Sequence, residues 1–210
     1  MAWIFRAVAA FWICAGALAP PAFGAQGDDP DWPCIQRKVP ELSLGQVWTG
    51  PALPQTTVGW STDETVSAWV ADLSARRLPL PEAEQKIRDA AGSLPDEERQ
   101  RQMTMLVQGL FDHMNQERSQ VIAGIARYAH RQRDLAAALR QESAAVDALR
   151  GKTDANPMEI AARADRLTFQ TRIFQERVQS LTFVCEVPTL IEQRLYALVK
   201  TIAEMLAPKK

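Results

Sequence analysis

The chain has 210 residues, with 24 Lys and Arg against 25 Asp and Glu, and an isoelectric point near 6.2. This length excludes two large domains, and the balanced charge gives no electrostatic reason to expect nucleic acid as a partner. Only two histidines and three cysteines are present, so we expect no multi-ligand metal centre.

Residues 1–24 predict a cleaved secretory signal peptide. Arg6 provides a positive charge, residues 7–18 are apolar, and the small residues Ala22 and Gly24 suit a cleavage site after position 24. The apolar run is shorter than the roughly 20 residues of a membrane span, which disfavours an uncleaved anchor. We therefore predict a periplasmic protein that contacts membranes only peripherally, if at all.

Loss of the signal peptide removes one cysteine and leaves Cys34 and Cys185. In an oxidising compartment these two residues have only each other as an intramolecular partner. They do not form a CxxC motif, which makes a thiol-redox enzyme the weaker interpretation. We predict a structural disulfide that joins the amino-terminal segment to the far end of the chain.

Residues 25–60 are rich in proline and glycine, which prevents long regular elements. The segment also carries Trp32, Trp48 and Trp60 among other apolar residues, more than a solvated linker contains. It is therefore predicted to be an extended wrap lying on another surface.

Residues 61–93 predict two short helices. Ser61 and Glu64 have the spacing of a capping box, and the first helix is expected to end near Pro79. Pro81 suits the first turn of a second helix, which ends near Gly92.

Residues 94–207 predict a long antiparallel helical hairpin of the coiled-coil type, with its turn at residues 151–156. Apolar residues recur at alternating spacings of four and three along both arms. In the first arm they are Val107, Phe111, Met114, Val121, Ile125, Tyr128, Leu135, Leu139, Val146 and Leu149. The predicted fold class is all-α.

The antiparallel register places Cys185 opposite Ile125, and Arg118 opposite Glu192. Arg118 stands where an apolar residue is expected. In one interpretation it pairs with Glu192 and sets the register of the hairpin. In the other, its aliphatic stem packs in the seam and its guanidinium reaches water. Gly124 is expected to leave room for close approach of another backbone near the disulfide.

A basic cluster on the first arm contains Arg127, Tyr128, His130, Arg131 and Arg133. It is the candidate interaction surface, suited to an acidic partner or to anionic head groups. The alternative is a solvated flank of the coiled coil without a partner.

No catalytic motif is present: the chain lacks a GxSxG elbow, an HExxH motif and a glycine-rich phosphate loop. Met103, Met105, His113 and Met114 suggest a copper(I) site, but core packing explains the methionines better. We expect no enzyme and no cofactor.

Three segments, residues 32–40, 180–188 and 191–195, resemble segments of exported proteobacterial proteins of uncharacterised function. The resemblance implies no activity. It is consistent with the two cysteine-bearing segments forming one unit.

The function predicted from these features is that of an exported, non-enzymatic adaptor or scaffold that binds another envelope protein. A coiled-coil arm exposes much surface and encloses little volume, which favours contact over catalysis. A homodimer formed through the same seam remains open. The alternatives are a small-ligand or cofactor-binding module at the tryptophan-rich base, or a periplasmic thiol-redox or metal-handling protein.

Overall fold

A computed structural model describes residues 29–207, so the predicted signal peptide lies outside the described residues. The elements, in chain order, are α1 (Leu44–Val47), a 3₁₀ helix (Gln55–Thr62), α2 (Glu64–Ser74), α3 (Leu80–Ser93), α4 (Asp96–Arg150) and α5 (Pro157–Leu206). This part of the chain contains no strand, and the predicted all-α fold is confirmed.

Helices α4 and α5 form the long hairpin. They contain 55 and 50 residues, or about 82 and 75 Å at 1.5 Å per residue. The turn between them spans residues 151–156, and the Asn156 side chain caps α5 by accepting a hydrogen bond from the Met158 amide at 2.9 Å. Helix α5 continues through Pro188.

The main hydrophobic core lies at the open end of the hairpin, which we call the base. There α2 and α3 pack against the first part of α4 and the last part of α5. The core side chains include Val66, Val70, Leu73, Ile87, Met103, Leu106, Leu110, Met114, Ile191, Leu195, Leu198 and Ile202. The turn end projects from this base as a two-helix arm.

The amino-terminal wrap is not extended throughout, because it includes α1 and the 3₁₀ helix. Ser43 and Gln46 form a capping box that starts α1. The predicted capping box at Ser61 is wrong, because Ser61 lies inside the 3₁₀ helix. Asp63 has the extended backbone an N-cap needs, and its carboxylate accepts the Val66 amide at 3.1 Å.

The close approach expected at Gly124 occurs instead at Gly109. A Cβ atom on Gly109 would lie 2.6 Å from Val70 Cγ2 and 2.9 Å from Trp60 Cδ2. A Cβ atom on Gly124 would meet only the Arg127 side chain, at 3.9 Å. The expectation for Gly124 is wrong because the disulfide segment approaches α4 beside other residues.

Candidate functional site

The disulfide joins Cys34 to Cys185, with their Cα atoms 5.5 Å apart. Both residues are buried in a small second core that we call the disulfide joint. It also contains Ile125, Leu181, Trp32, Val121 and Tyr128. The joint connects the wrap to both long helices midway along the hairpin.

Polar contacts hold the wrap at the disulfide joint. The Trp32 indole donates to the Gln36 carbonyl at 2.6 Å, and the Gln36 amide donates to Glu186 at 2.8 Å. Lys38 lies 5.8 Å from the centre of the Trp32 ring and 2.6 Å from Asp29. The hydrogen bond from Lys38 lowers the pKa of the Asp29 carboxyl.

Arg118 and Glu192 are brought together at the base of the arm. The Arg118 Nε atom donates to Glu192 Oε1 at 2.5 Å, and Nη1 donates to the Val39 carbonyl at 2.6 Å. Arg118 is only 3% exposed. Its guanidinium therefore links α4, α5 and the wrap, and its role in setting the register stays a prediction.

The residues of the basic cluster on α4 fall into two groups, those that contact other parts of the protein and those that remain exposed. Arg133 donates to the Asp31 carboxylate, and His130 Nδ1 lies 3.3 Å from the same carboxylate oxygen. His130 Nε2 also lies 3.6 Å from Asp134. Tyr128 packs against the disulfide joint. Asp31 of the wrap thus neutralises one part of the cluster.

Arg127 and Arg131 remain exposed, one turn apart on α4. Together with Asp31, Ala126 and His130 they line an open groove of about 290 Å³, which we call the arginine groove. Within residues 29–207, neither guanidinium forms an ion pair. The groove is suited to an acidic group supplied from outside the chain.

A second cleft, of about 280 Å³, lies between α2, α3 and α4. Its lining includes Trp69, Leu73, Ile87 and an ion pair of 2.5 Å between Lys86 and Asp72. We call it the Trp69 cleft. It is slightly smaller than a typical small-molecule site.

The other tryptophans of the wrap use their indole N–H groups inside the protein. Trp48 donates to the Pro51 carbonyl at 2.7 Å, and Trp60 donates to the Asp112 carboxylate at 2.9 Å. The first contact lies within the wrap and the second joins the wrap to α4, and both rings also pack against the main core, so the wrap is part of the packed base.

Arg194 is a buried charge that no local sequence pattern indicates. Its Nε and Nη2 atoms donate to the Leu73 carbonyl at 3.0 and 2.7 Å. Burial lowers the pKa of the guanidinium. Arg194 satisfies a carbonyl at the end of α2, where the helix dipole favours a cation.

The methionines considered for copper are core residues. Met103, Met105 and Met114 are buried, whereas His113 is exposed. Across the described part of the chain, no group of three or more His, Cys, Asp or Glu residues is placed to hold a metal ion.

The projecting arm carries its own ion pair. Arg163 Nε and Nη2 donate to the two carboxylate oxygens of Glu142, at 2.9 and 2.8 Å. The hydrogen bond from Arg163 lowers the pKa of Glu142. Glu142 interrupts the apolar spacing of the first arm between Leu139 and Val146, and this bidentate contact provides its carboxylate with a partner there.

The role of Asp31 is not predictable from the sequence, because a carboxylate about 100 residues from its partners gives no local signal. The exposed apolar face of α5 was also not predicted, although the spacing of Phe169 and Phe183 is visible in the sequence. None of the helices in residues 29–207 is both long and apolar enough to cross a membrane.

No protein-family model matches the chain, and no curated protein or solved structure shows detectable similarity to it.

Proposed function

We propose that this protein is an exported, non-enzymatic helical adaptor that binds an acidic segment of another envelope protein in the arginine groove. The observation that carries the proposal is the pair of exposed guanidinium groups, Arg127 and Arg131, that line the groove together with Ala126. Each guanidinium offers a planar set of donors that matches a carboxylate.

The neighbouring residues support an acidic partner. The Asp31 carboxylate already contacts Arg133 and His130. It is an example of a carboxylate from a separate segment that binds this face of α4. An incoming acidic side chain would extend the same pattern by about one helical turn, toward Arg127. Such contacts guide association and weaken as salt screens them.

Export is supported by the predicted signal peptide and by the buried disulfide. Disulfides persist in oxidising compartments and are uncommon in the cytosol. The burial of Cys34 and Cys185 restricts attack by an external thiol, which favours a structural bond over a redox centre.

The test uses a photo-reactive amino acid in place of Ala123, an exposed α4 residue one turn before Arg127, in the full chain expressed in its native envelope. We expect one heteromeric adduct, with the cross-linked peptide of the partner rich in Asp and Glu. The same substitution at Gln141, an exposed α4 position outside the groove, is the control. Equal labelling from both positions would contradict the proposal.

Binding of the purified partner supplies the quantitative test. Arg127→Glu should weaken it by at least about tenfold, because a carboxylate then faces the acidic segment. Arg140→Glu makes the same charge change on an exposed α4 position away from the groove and should have little effect. If both variants bind equally, the groove is not the contact site.

The Trp69 cleft favours a second candidate function, in which the base holds a small ligand. Trp69 and Leu73 provide an apolar wall, and Lys86 and Asp72 provide polar groups at the cleft. Native mass spectrometry of gently purified protein tests this function. A bound species that is lost in Trp69→Ala would favour it over the adaptor.

A further inference from the structure

The outward face of α5 carries large apolar side chains in water. Met158, Phe169, Phe183 and Leu190 are 80%, 64%, 78% and 54% exposed. We call this set the α5 stripe. At about 100° per residue, the four side chains fall within an arc of about 60° and extend over about 48 Å of helix.

The α5 stripe faces away from α4. Leu181 and Cys185, which pack with Ile125 of α4, lie about 160 to 200° around the helix from Phe183. In a two-helix arm the outward face is normally polar. Among residues 29–207, seven large exposed apolar side chains lie on α5 and none lies on α4. The exposed apolar side chains of the two long helices are therefore concentrated on α5, which favours a contact that covers α5 alone.

The stripe is complementary to itself. Glu176 lies midway between Phe169 and Phe183 in the sequence, and it accepts a hydrogen bond from Arg172 at 3.1 Å. If two α5 helices pack antiparallel about an axis through Glu176, Phe169 of each copy meets Phe183 of the other. Arg172 is then about 6 Å along the helix from Glu176 of the second copy, within reach of its side chain.

We propose that the occupant is a second copy of this chain, packed antiparallel along the α5 stripe about an axis at Glu176. Two aromatic contacts flank a central charged set, in which the two Glu176 carboxylates lie at the axis and one Arg172 guanidinium lies on either side of them. This isologous arrangement is the geometry of a two-fold dimer. It is distinct from the seam between α4 and α5 and from the arginine groove, so it does not depend on the proposed partner.

The overlap of the two stripes limits the size of this interface. About an axis at Glu176 the stripes overlap over residues 162–190, and a strip about 42 Å long and about 10 Å wide on each copy buries on the order of 800 Å² in total. This is in the size range of weak, transient interfaces, so the dimer is reversible and depends on concentration. The charged residues Asp165, Arg172 and Glu176 lie between the apolar residues of the stripe, which disfavours binding of the stripe to a lipid surface.

Sedimentation equilibrium of the full mature chain, over a range of concentrations, tests the proposal. We expect Phe169→Glu and Phe183→Glu each to weaken self-association by at least about tenfold, because a charge enters the apolar contact. Gln170→Glu adds the same charge beside the stripe and should leave association unchanged. A wild-type chain that stays monomeric at all concentrations would overturn the proposal.

Charge exchange tests the centre of the interface. Arg172→Glu gathers four carboxylates at the axis and should weaken the dimer by about tenfold or more. The double variant Arg172→Glu/Glu176→Arg restores two cations and two anions around the axis and should recover most of the association. Failure of the double variant to recover, while circular dichroism shows a wild-type helix content, would contradict the central contact.

Disulfide trapping tests the orientation. Glu176→Cys places a thiol on the proposed axis, next to its own copy, and should form a covalent dimer under mild oxidation. Ala162→Cys lies about 21 Å along the helix from the axis and should not link to itself. A parallel pair would link at both positions, and that result would overturn the antiparallel arrangement.

Discussion

At the scale of single residues, Gly109 shows how closely the base is packed. Glycine inside a helix costs about 1 kcal/mol relative to alanine. Here the cost is offset because the missing side chain lets Trp60 and Val70 lie directly on the backbone of α4. The Trp60 indole can then reach Asp112, one turn further along the same helix.

Gly109→Ala should therefore destabilise the protein by about 1 to 3 kcal/mol, because the new methyl group overlaps the side chains that pack there. Gly124→Ala is the matched control on the same helix, where the new methyl group meets no close neighbour. The control should stabilise the protein by up to about 1 kcal/mol. Urea unfolding of both variants measures the difference, and two changes of the same sign would disprove this account.

Which of two glycines in α4 permits close packing was not predictable from the sequence. Both lie in a continuous helical pattern, and Gly124 is the one near the predicted disulfide. The outcome depends on where the wrap crosses α4, which distant residues decide. The Arg194 contact with the Leu73 carbonyl was missed for the same reason.

At the scale of elements, Arg118 is the point where α4, α5 and the wrap meet. Its guanidinium contacts Glu192 and the Val39 carbonyl at the same time. Loss of this side chain leaves a carbonyl and a carboxylate without their main donor. The register at the base of the hairpin is then held mainly by apolar contacts, while Arg163 and Glu142 still join the two helices in the arm.

We expect Arg118→Met to lower the free energy of unfolding by about 2 to 3 kcal/mol. Glu192→Gln should cost only about 1 kcal/mol, because Glu192 is about a third exposed and water screens it. The double variant should cost less than the sum, with a coupling of about 1 kcal/mol. Strict additivity in denaturant unfolding would show that the pair does not contribute to the register.

The hairpin was predictable because a repeat of apolar residues continued over many turns indicates one helix face, and a break in it indicates a turn. The observed turn at residues 151–156 and the cap at Asn156 agree with that pattern. The apolar repeat does not predict the surroundings of the opposite face of α5, where Phe169 and Phe183 interrupt a polar surface. Only the placement of α4 shows that these two rings point outward.

At the scale of the whole molecule, the disulfide closes most of the described chain into one loop. Cys34 and Cys185 are separated by 151 positions. A cross-link of this span restricts the unfolded chain and stabilises the folded one by up to roughly 4 to 5 kcal/mol. It also keeps Asp31 next to α4, so it supports the arrangement at the arginine groove.

The double variant Cys34→Ser/Cys185→Ser should keep its helix content but lose up to roughly 5 kcal/mol of unfolding free energy. Far-ultraviolet circular dichroism during urea unfolding measures both quantities. In the wild type, a mild dithiol should reduce the bond slowly until urea opens the fold, because both sulfur atoms are buried. Rapid reduction of the folded protein would favour the redox alternative.

The sequence alone determined the all-α class, the two long helices and their turn, and it predicted the Cys34–Cys185 pair on the expectation of a cleaved signal peptide. The helices and the turn follow from local periodicity and from the placement of proline and glycine. The tertiary structure decided which arginines the wrap neutralises, which glycine is crowded and which face of α5 stays uncovered. Those features depend on contacts between residues far apart in the chain, and no local pattern encodes the crossing of the wrap over the helices.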